Sequence, residues 1–219
     1  MKIGIIDSGI GGIKVLENMC QAFSANFIYI FDKSFLPYGN KREEQIRERI
    51  ISICNYLLKT HGVECIVIAC NTASCVALKE CKKRYSVPIL GLIPPVKELS
   101  LYNGKTLILS TRLTSDIIYS QIKSKNIEIS PQPKLAEFIE KFATNSKALD
   151  LYINDNLMKY KGCFDRIFLG CTHYYYIKNR IRKLLDVEVL DGRKELIDNI
   201  KRLIPLPPSD KSYTEFYYL

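Results

Sequence analysis

The sequence predicts an α/β protein of two similar lobes, and three observations carry that expectation. Short, almost wholly apolar runs alternate with amphipathic segments along nearly all of the 219 residues. The alternation breaks at residues 91–100 (GLIPPVKELS), where Pro94 and Pro95 interrupt it. On each side of the break stands the same unit, an apolar run ending in cysteine and followed by polar residues that open a helix.

Strands covered on both faces read as continuous apolar runs, the signature of parallel sheets flanked by helices. Residues 2–7 (KIGIID), 26–31 (NFIYIF), 65–70 (CIVIAC), 106–110 (TLILS), 166–171 (RIFLGC) and 187–191 (VEVLD) read this way. Between them, residues 10–23, 43–59, 75–85 and 173–185 carry helical apolar spacing. Mainly parallel sheets follow, with ligands expected at the carboxyl ends of their strands. The first lobe is expected over residues 1–93 plus a C-terminal return at 194–219, and the second over 94–193. Set side by side, CIVIAC-NTASCVALKE and RIFLGC-THYYYIKNR look like a degenerate internal duplication.

Composition narrows the class. With 47% apolar residues the chain can bury a core. It contains no uninterrupted apolar run near the ~18 residues of a membrane span. The N-terminal apolar run stops at Asp7, short of the roughly 7–15 residues of a secretory h-region, so a cytoplasmic location is expected. In that setting the eight cysteines are reduced thiols, most of them small core residues. No C-x-x-C occurs, and His61 and His173 form no zinc spacing with cysteines, so no metal is expected. The net charge of +9 has no nucleic-acid recognition motif beside it, and KREEQIRER (41–49) mixes both signs as a solvated helix face does. A mild attraction for small anions is what remains.

Cys70 and Cys171 each stand where a strand gives way to a helix. Unpaired backbone N–H groups and the positive end of a helix dipole favour the thiolate there, against an ordinary thiol pKa of about 8.5. One such cysteine is most simply a small buried residue. Two, at matching places in matching units, point to chemistry. Inverting a stereocentre takes a base on one face of a carbon and an acid on the other, and two lobes facing across a cleft supply that pair without a cofactor. Asn71, Thr72 and Thr172 fall at helix N-termini, where backbone N–H groups also bind carboxylates. The glycine-rich turn Asp7-Ser8-Gly9-Ile10-Gly11-Gly12 is no dinucleotide fingerprint, because Lys14 stands where the third glycine belongs. By themselves Asp7 reads as a helix cap and Leu36-Pro37-Tyr38-Gly39 as a turn. His173, beside Cys171, is a proton partner for it.

Four segments in this order, Ile6-Asp7-Ser8-Gly9-Ile10-Gly11-Gly12, Pro37-Tyr38-Gly39, Ala69-Cys70-Asn71-Thr72-Ala73-Ser74 and Gly170-Cys171-Thr172-His173-Tyr174, resemble the glutamate racemases of the aspartate/glutamate racemase superfamily. The resemblance implies two pseudo-symmetric α/β lobes with the active site in the cleft between them. It implies no cofactor, a small-molecule substrate, glutamate, and a product, D-glutamate, used for peptidoglycan; homodimers are common in such a family. It also implies roles. Cys70 takes the α-proton from D-glutamate and Cys171 from L-glutamate, Asp7 supports Cys70, and His173 supports Cys171. Glu140, in Phe138-Ile139-Glu140, matches the family's glutamate near the second cysteine. Ser8, Tyr38, Gly39, Asn71, Thr72 and Thr172 hold the substrate's carboxylates and amine, with Thr114 a further contact. The chain departs from the pattern at Phe31 and Phe35, where a glycine and an arginine are usual, and at Tyr175, which replaces a proline. Residues 213–219 fall where the family continues into a final helix. The alternatives are a racemase for aspartate or another acidic amino acid, and a non-catalytic relative that binds such a ligand.

Overall fold

The computed structural model describes residues 1–208 and 211–219. In chain order its elements are β1 (Lys2–Asp7), α1 (Ile13–Ala22), β2 (Asn26–Phe31), α2 (Glu43–Tyr56), β3 (Cys65–Ile68), α3 (Asn71–Arg84) and β4 (Ile89–Gly91). Then come α4 (Val96–Ser100), β5 (Thr106–Ser110), α5 (Arg112–Tyr119), β6 (Ile127–Pro131), α6 (Leu135–Phe142) and α7 (Ser146–Leu157). The chain finishes with β7 (Arg166–Gly170), α8 (Lys178–Leu185), β8 (Glu188–Asp191), α9 (Arg193–Leu203) and β9 (Tyr213–Tyr218). No helix among the described residues is long and apolar enough to cross a membrane.

Two compact units result, Met1–Ile93 with Arg193–Leu219, and Pro94–Gly192. Each is built on a parallel sheet, in the order β4-β3-β1-β2-β9 in the first and β6-β5-β7-β8 in the second. Counted from its own first strand, each sheet runs fourth, third, first, second, with β9 added at the first sheet's edge. The duplication visible in the two cysteine segments is therefore a duplication of topology. In such a sheet the chain leaves the first strand in opposite directions, so a crevice opens at the carboxyl ends of the first and third strands. β1 ends at Asp7 and β3 at Ile68, two residues before Cys70; β5 ends at Ser110 and β7 at Gly170, immediately before Cys171.

The central strands explain why their sequences are so apolar. Ile3, Ile5, Ile6, Ile66, Val67 and Ile68 are fully buried in the first sheet, and Leu107, Ile108, Leu109 and Leu169 in the second. Each such side chain contributes about 1.5–3 kcal/mol relative to exposure. On α2, Ile46, Ile50 and Ile53 make the buried stripe, and α3 presents small residues, Ala73, Ala77 and Cys81.

Several expectations are corrected. The strand expected at 65–70 stops at Ile68, while the helix after it begins at Asn71, at the polar residues expected to open it. The segment 173–185 is not one α-helix: Thr172–Ile177 is a 3-10 helix, and α8 starts at Lys178. Three successive tyrosines favour an α-helix poorly, and burial of Tyr174, whose hydroxyl donates to the Gln132 carbonyl at 3.0 Å, holds the tighter winding. The N-cap positions of the helical segments after β1 are Gly9 and Gly12, and the Asp7 carboxylate closes the turn ahead of them by accepting from the Gly9 N–H at 2.9 Å. Residues 213–218 form an edge strand, as their aromatic content favours, with Phe216 against Tyr29 and Tyr218 against Phe31 at ring-centroid separations of 5.6 and 5.5 Å. Arg193, expected in the second lobe, belongs to the first unit and donates to Asn18 on α1 at 3.1 Å.

Candidate functional site

In the first unit the site is assembled from the ends of β1 and β3. Asp7 is fully buried, and the helical turn after it comes so close that a Cβ on Gly12 would sit 2.5 Å from the Asp7 Cβ and from the Tyr29 hydroxyl. Glycine at position 12 is thus a packing requirement of this carboxylate. Ser8 follows, its Oγ 4.0 Å from the Cys70 Sγ. Cys70 is the N-cap of α3 in extended conformation, 7% exposed, with its carbonyl already accepting from the Ser74 N–H at 2.9 Å. The thiol therefore stands at the positive end of a 14-residue helix.

Asn71 and Thr72 form the first turn of α3 and are buried. The Asn71 amide donates through Nδ2 to the Leu92 carbonyl at 3.1 Å, while its Oδ1 has no hydrogen-bond partner among the described residues. An acceptor oriented this way suits an ammonium group. Tyr38 and Gly39 lie in a 3-10 turn, Tyr38–Asn40, that follows the cis Leu36–Pro37 bond and packs on α3. The Tyr38 hydroxyl donates to Asp32 Oδ2 at 2.6 Å. Burial, then the Asp32 carboxylate and more weakly Cys70 and Asp7, push that phenol well above its ordinary pKa, so it keeps its proton.

In the second unit Cys171 caps the 3-10 helix Thr172–Ile177 and is 6% exposed. Its setting therefore differs from that of Cys70: six residues of 3-10 helix supply a smaller aligned dipole than α3. What Cys171 has instead is a chain of polar partners. Its Sγ lies 3.9 Å from His173 Nδ1, and His173 Nε2 lies 2.7 Å from Glu140 Oε2 on α6. A carboxylate behind the far nitrogen orients the imidazole and steadies it when protonated, the arrangement that lets a histidine exchange protons with a neighbouring thiol. Thr172 is buried in the turn after Cys171. Thr114 is fully buried in the first turn of α5, where the Thr111 Oγ1 donates to its hydroxyl at 3.0 Å and accepts from its N–H at 3.3 Å. Tyr174, fully buried, has its phenol raised well above the ordinary value by burial and then by Cys171.

The structure thus brings Ser8 to Cys70, and His173 and Glu140 to Cys171. It also shows two residues behind Tyr38, Asp32 and Arg49, that the sequence reading did not single out. Asp32, fully buried, receives Arg49 Nε at 2.9 Å on Oδ2 and Nη2 at 2.6 Å on Oδ1. Two signals were present: β2 leads into Asp32 just as β1 ends in Asp7, and Arg49 lies three residues past Ile46 on the apolar stripe of α2.

Comparison with known proteins matches residues 3–200 to the family described as Asp/Glu/Hydantoin racemase. A glutamate racemase of Campylobacter concisus (strain 13826) is 36% identical over 218 residues, covering 93% of this chain and 82% of that one. The crystal structure of glutamate racemase from Thermus thermophilus in complex with beta-chloro-D-alanine superposes with a TM-score of 0.84 at 27% identity, covering 99% of this chain and 87% of that one. The Aquifex pyrophilus glutamate racemase gives 0.74 at 32% identity, over 100% and 89%.

Proposed function

This chain belongs to the Asp/Glu/hydantoin racemase family, and we propose that it interconverts L- and D-glutamate without a cofactor by passing the α-proton between Cys70 and Cys171. The observation that carries this reading is the repeated placement of a thiol beyond the third strand of each of two sheets of one topology, each with its own polar partners. Glutamate is the substrate because relatives that match over most of the chain, 36% and 32% identical, bear that name.

From D-glutamate, the Cys70 thiolate takes the α-proton while the Cys171 thiol donates one to the opposite face. The product is L-glutamate, and the thiol and thiolate have exchanged places. The reverse turnover restores them. Ser8 and Asp7 support Cys70, and His173, held by Glu140, supports Cys171. Backbone N–H groups at the start of α3 and at Gly39 receive a carboxylate, as helix N-termini do, and the Asn71 Oδ1 receives the ammonium. Thr72 and Thr172 complete the polar lining. The chemistry requires both thiols to reach one carbon from opposite sides. The role follows from the product: D-glutamate supplied for peptidoglycan, in the cytoplasm where that precursor is assembled.

The test uses purified protein treated with a chelator and given no pyridoxal phosphate. Each enantiomer of glutamate and of aspartate is supplied, and optical rotation is followed. Loss of rotation with both glutamate enantiomers is expected. Activity that appears only when pyridoxal phosphate or a metal is restored rules out the two-thiol mechanism, and activity confined to aspartate reassigns the substrate.

A further inference from the structure

Asp32, Arg49 and Tyr38, with Ser34 donating to the same carboxylate at 3.5 Å, form a set of contacts that the proton transfer just described does not use. Asp32 is fully buried, and Arg49 holds it through two parallel hydrogen bonds, the strong bidentate geometry of a guanidinium on a carboxylate. Oδ2 is shared between the Arg49 Nε and the Tyr38 hydroxyl. Tyr38 has one proton, and at 2.6 Å that proton is committed to Asp32. The phenol oxygen then offers only lone pairs to anything else. The turn bearing Tyr38 packs on α3, whose N-cap is Cys70, and the charges of Cys70 and Asp7 are felt at the phenol.

We propose that Asp32 and Arg49 are positioning residues for the Cys70 half of the racemase reaction, acting through Tyr38: they fix its hydroxyl as an acceptor and keep it from donating toward the thiolate. A phenol free to turn toward Cys70 stabilises the thiolate by hydrogen bonding and weakens it as a base toward a carbon acid. Pointing the only phenolic proton at a carboxylate removes that competitor. The carboxylate in turn needs Arg49, since a buried charge without a partner is not kept. The proposal rests on the racemase reading above.

Three variants and one combination decide it: Tyr38→Phe, Asp32→Asn, Arg49→Lys, and Asp32→Asn with Tyr38→Phe. Tyr38→Phe loses one hydroxyl, leaves the Asp32–Arg49 pair intact, and guards against a result that reflects misfolding alone. With D-glutamate, Asp32→Asn is expected to lower kcat by about tenfold with KM within about threefold of the parent, Arg49→Lys to fall between. The double variant is expected to be no worse than about the Asp32→Asn loss, because Asp32 acts only when the hydroxyl is present. Losses that multiply in the double variant, or a parental kcat in Asp32→Asn, overturn the proposal. A second readout needs no turnover: the rate at which iodoacetamide alkylates Cys70, followed by mass spectrometry at pH 7. Asp32→Asn, which frees the phenolic proton and removes a nearby negative charge, is expected to raise that rate by about threefold or more, and Tyr38→Phe placed on top to cancel part of the rise. An unchanged rate overturns the positioning role, even in a protein whose failure to racemise glutamate has already disposed of the functional reading.

Discussion

Cys65 and Cys75 are held in surroundings that push their thiols up to about 12 by burial alone. Cys54, packed against Cys81, is raised further by that contact and by burial. Cys163 is exposed, and Cys70 and Cys171 stand at strand ends beside polar groups. None of the eight cysteines, all of them described, is in a disulfide. A thiol with its pKa raised to about 12 is neutral at pH 8 except in about one molecule in ten thousand, and only the thiolate is alkylated. Brief treatment with iodoacetamide at pH 8 is therefore expected to label Cys163 and leave Cys65 and Cys75 unmodified, with peptide mass spectrometry as the readout. Labelling of Cys65 or Cys75 as fast as Cys163 in the folded protein contradicts that order. The same scale shows what the sequence could and could not reveal. His173 is two residues from its thiol and needed only proximity in sequence, whereas Glu140 lies 33 residues from His173; the family resemblance alone names it, and the fold brings it to 2.7 Å. Asp32 and Arg49 escaped notice because each alone has an ordinary reading, a strand-end acid and a helix-surface cation. Only their mutual distance makes them an ion pair, with Asp32 buried and Arg49 partly exposed.

α3 sets where Cys70, Asn71 and Thr72 stand, so its docking matters as much as its composition. Ser74 in its first turn donates to the Ile68 carbonyl at 2.8 Å and accepts from the Leu92 N–H at 3.0 Å, tying the helix to the end of β3 and to the residue after β4. β4 ends in Gly91, where a Cβ would lie 2.6 Å from the Ser74 Oγ and 3.0 Å from its Cβ. Gly91→Ala must therefore displace this turn, an overpacking expected to cost about 1–3 kcal/mol. Ser74→Ala leaves the buried Leu92 N–H without its acceptor, at a comparable cost of about 1–3 kcal/mol. Urea denaturation read by circular dichroism checks both, and a Gly91→Ala midpoint equal to the parent's shows that the helix has room to spare. Long central strands were legible because burial on both faces leaves no polar position in them. β4 has only three residues, while β6 and β9 are edge strands with exposed positions, so none shows a continuous apolar run. The 3-10 winding after Cys171 was equally hidden, since its apolar spacing is compatible with an α-helix and only the burial of Tyr174 decides between the two.

At the scale of the whole chain, the two sheets repeat one strand order, and each unit carries a thiol just beyond its third strand, Cys70 in one and Cys171 in the other. Similar topology does not make the thiols equivalent. Cys70 faces Ser8 at the head of a long α-helix, and Cys171 faces a histidine backed by a glutamate. If each thiol serves one enantiomer, removing either must stop racemisation while leaving half of the proton chemistry alive. A serine hydroxyl is far too weak a base for a carbon acid, so Cys70→Ser and Cys171→Ser are each expected to lose racemisation by about a thousandfold or more. The surviving thiol can still remove and return the α-proton of the enantiomer that presents it. In heavy water, Cys70→Ser is expected to wash deuterium into L-glutamate only, and Cys171→Ser into D-glutamate only, with each recovered enantiomer assayed by mass spectrometry. Glu140→Gln should act on one side alone, slowing exchange of L-glutamate by about tenfold or more because His173 loses the carboxylate that steadies its charged form, while exchange of D-glutamate is far less affected. The opposite pattern of exchange swaps the roles of the two thiols and keeps the mechanism. Full racemisation by either serine variant abolishes the two-thiol mechanism altogether.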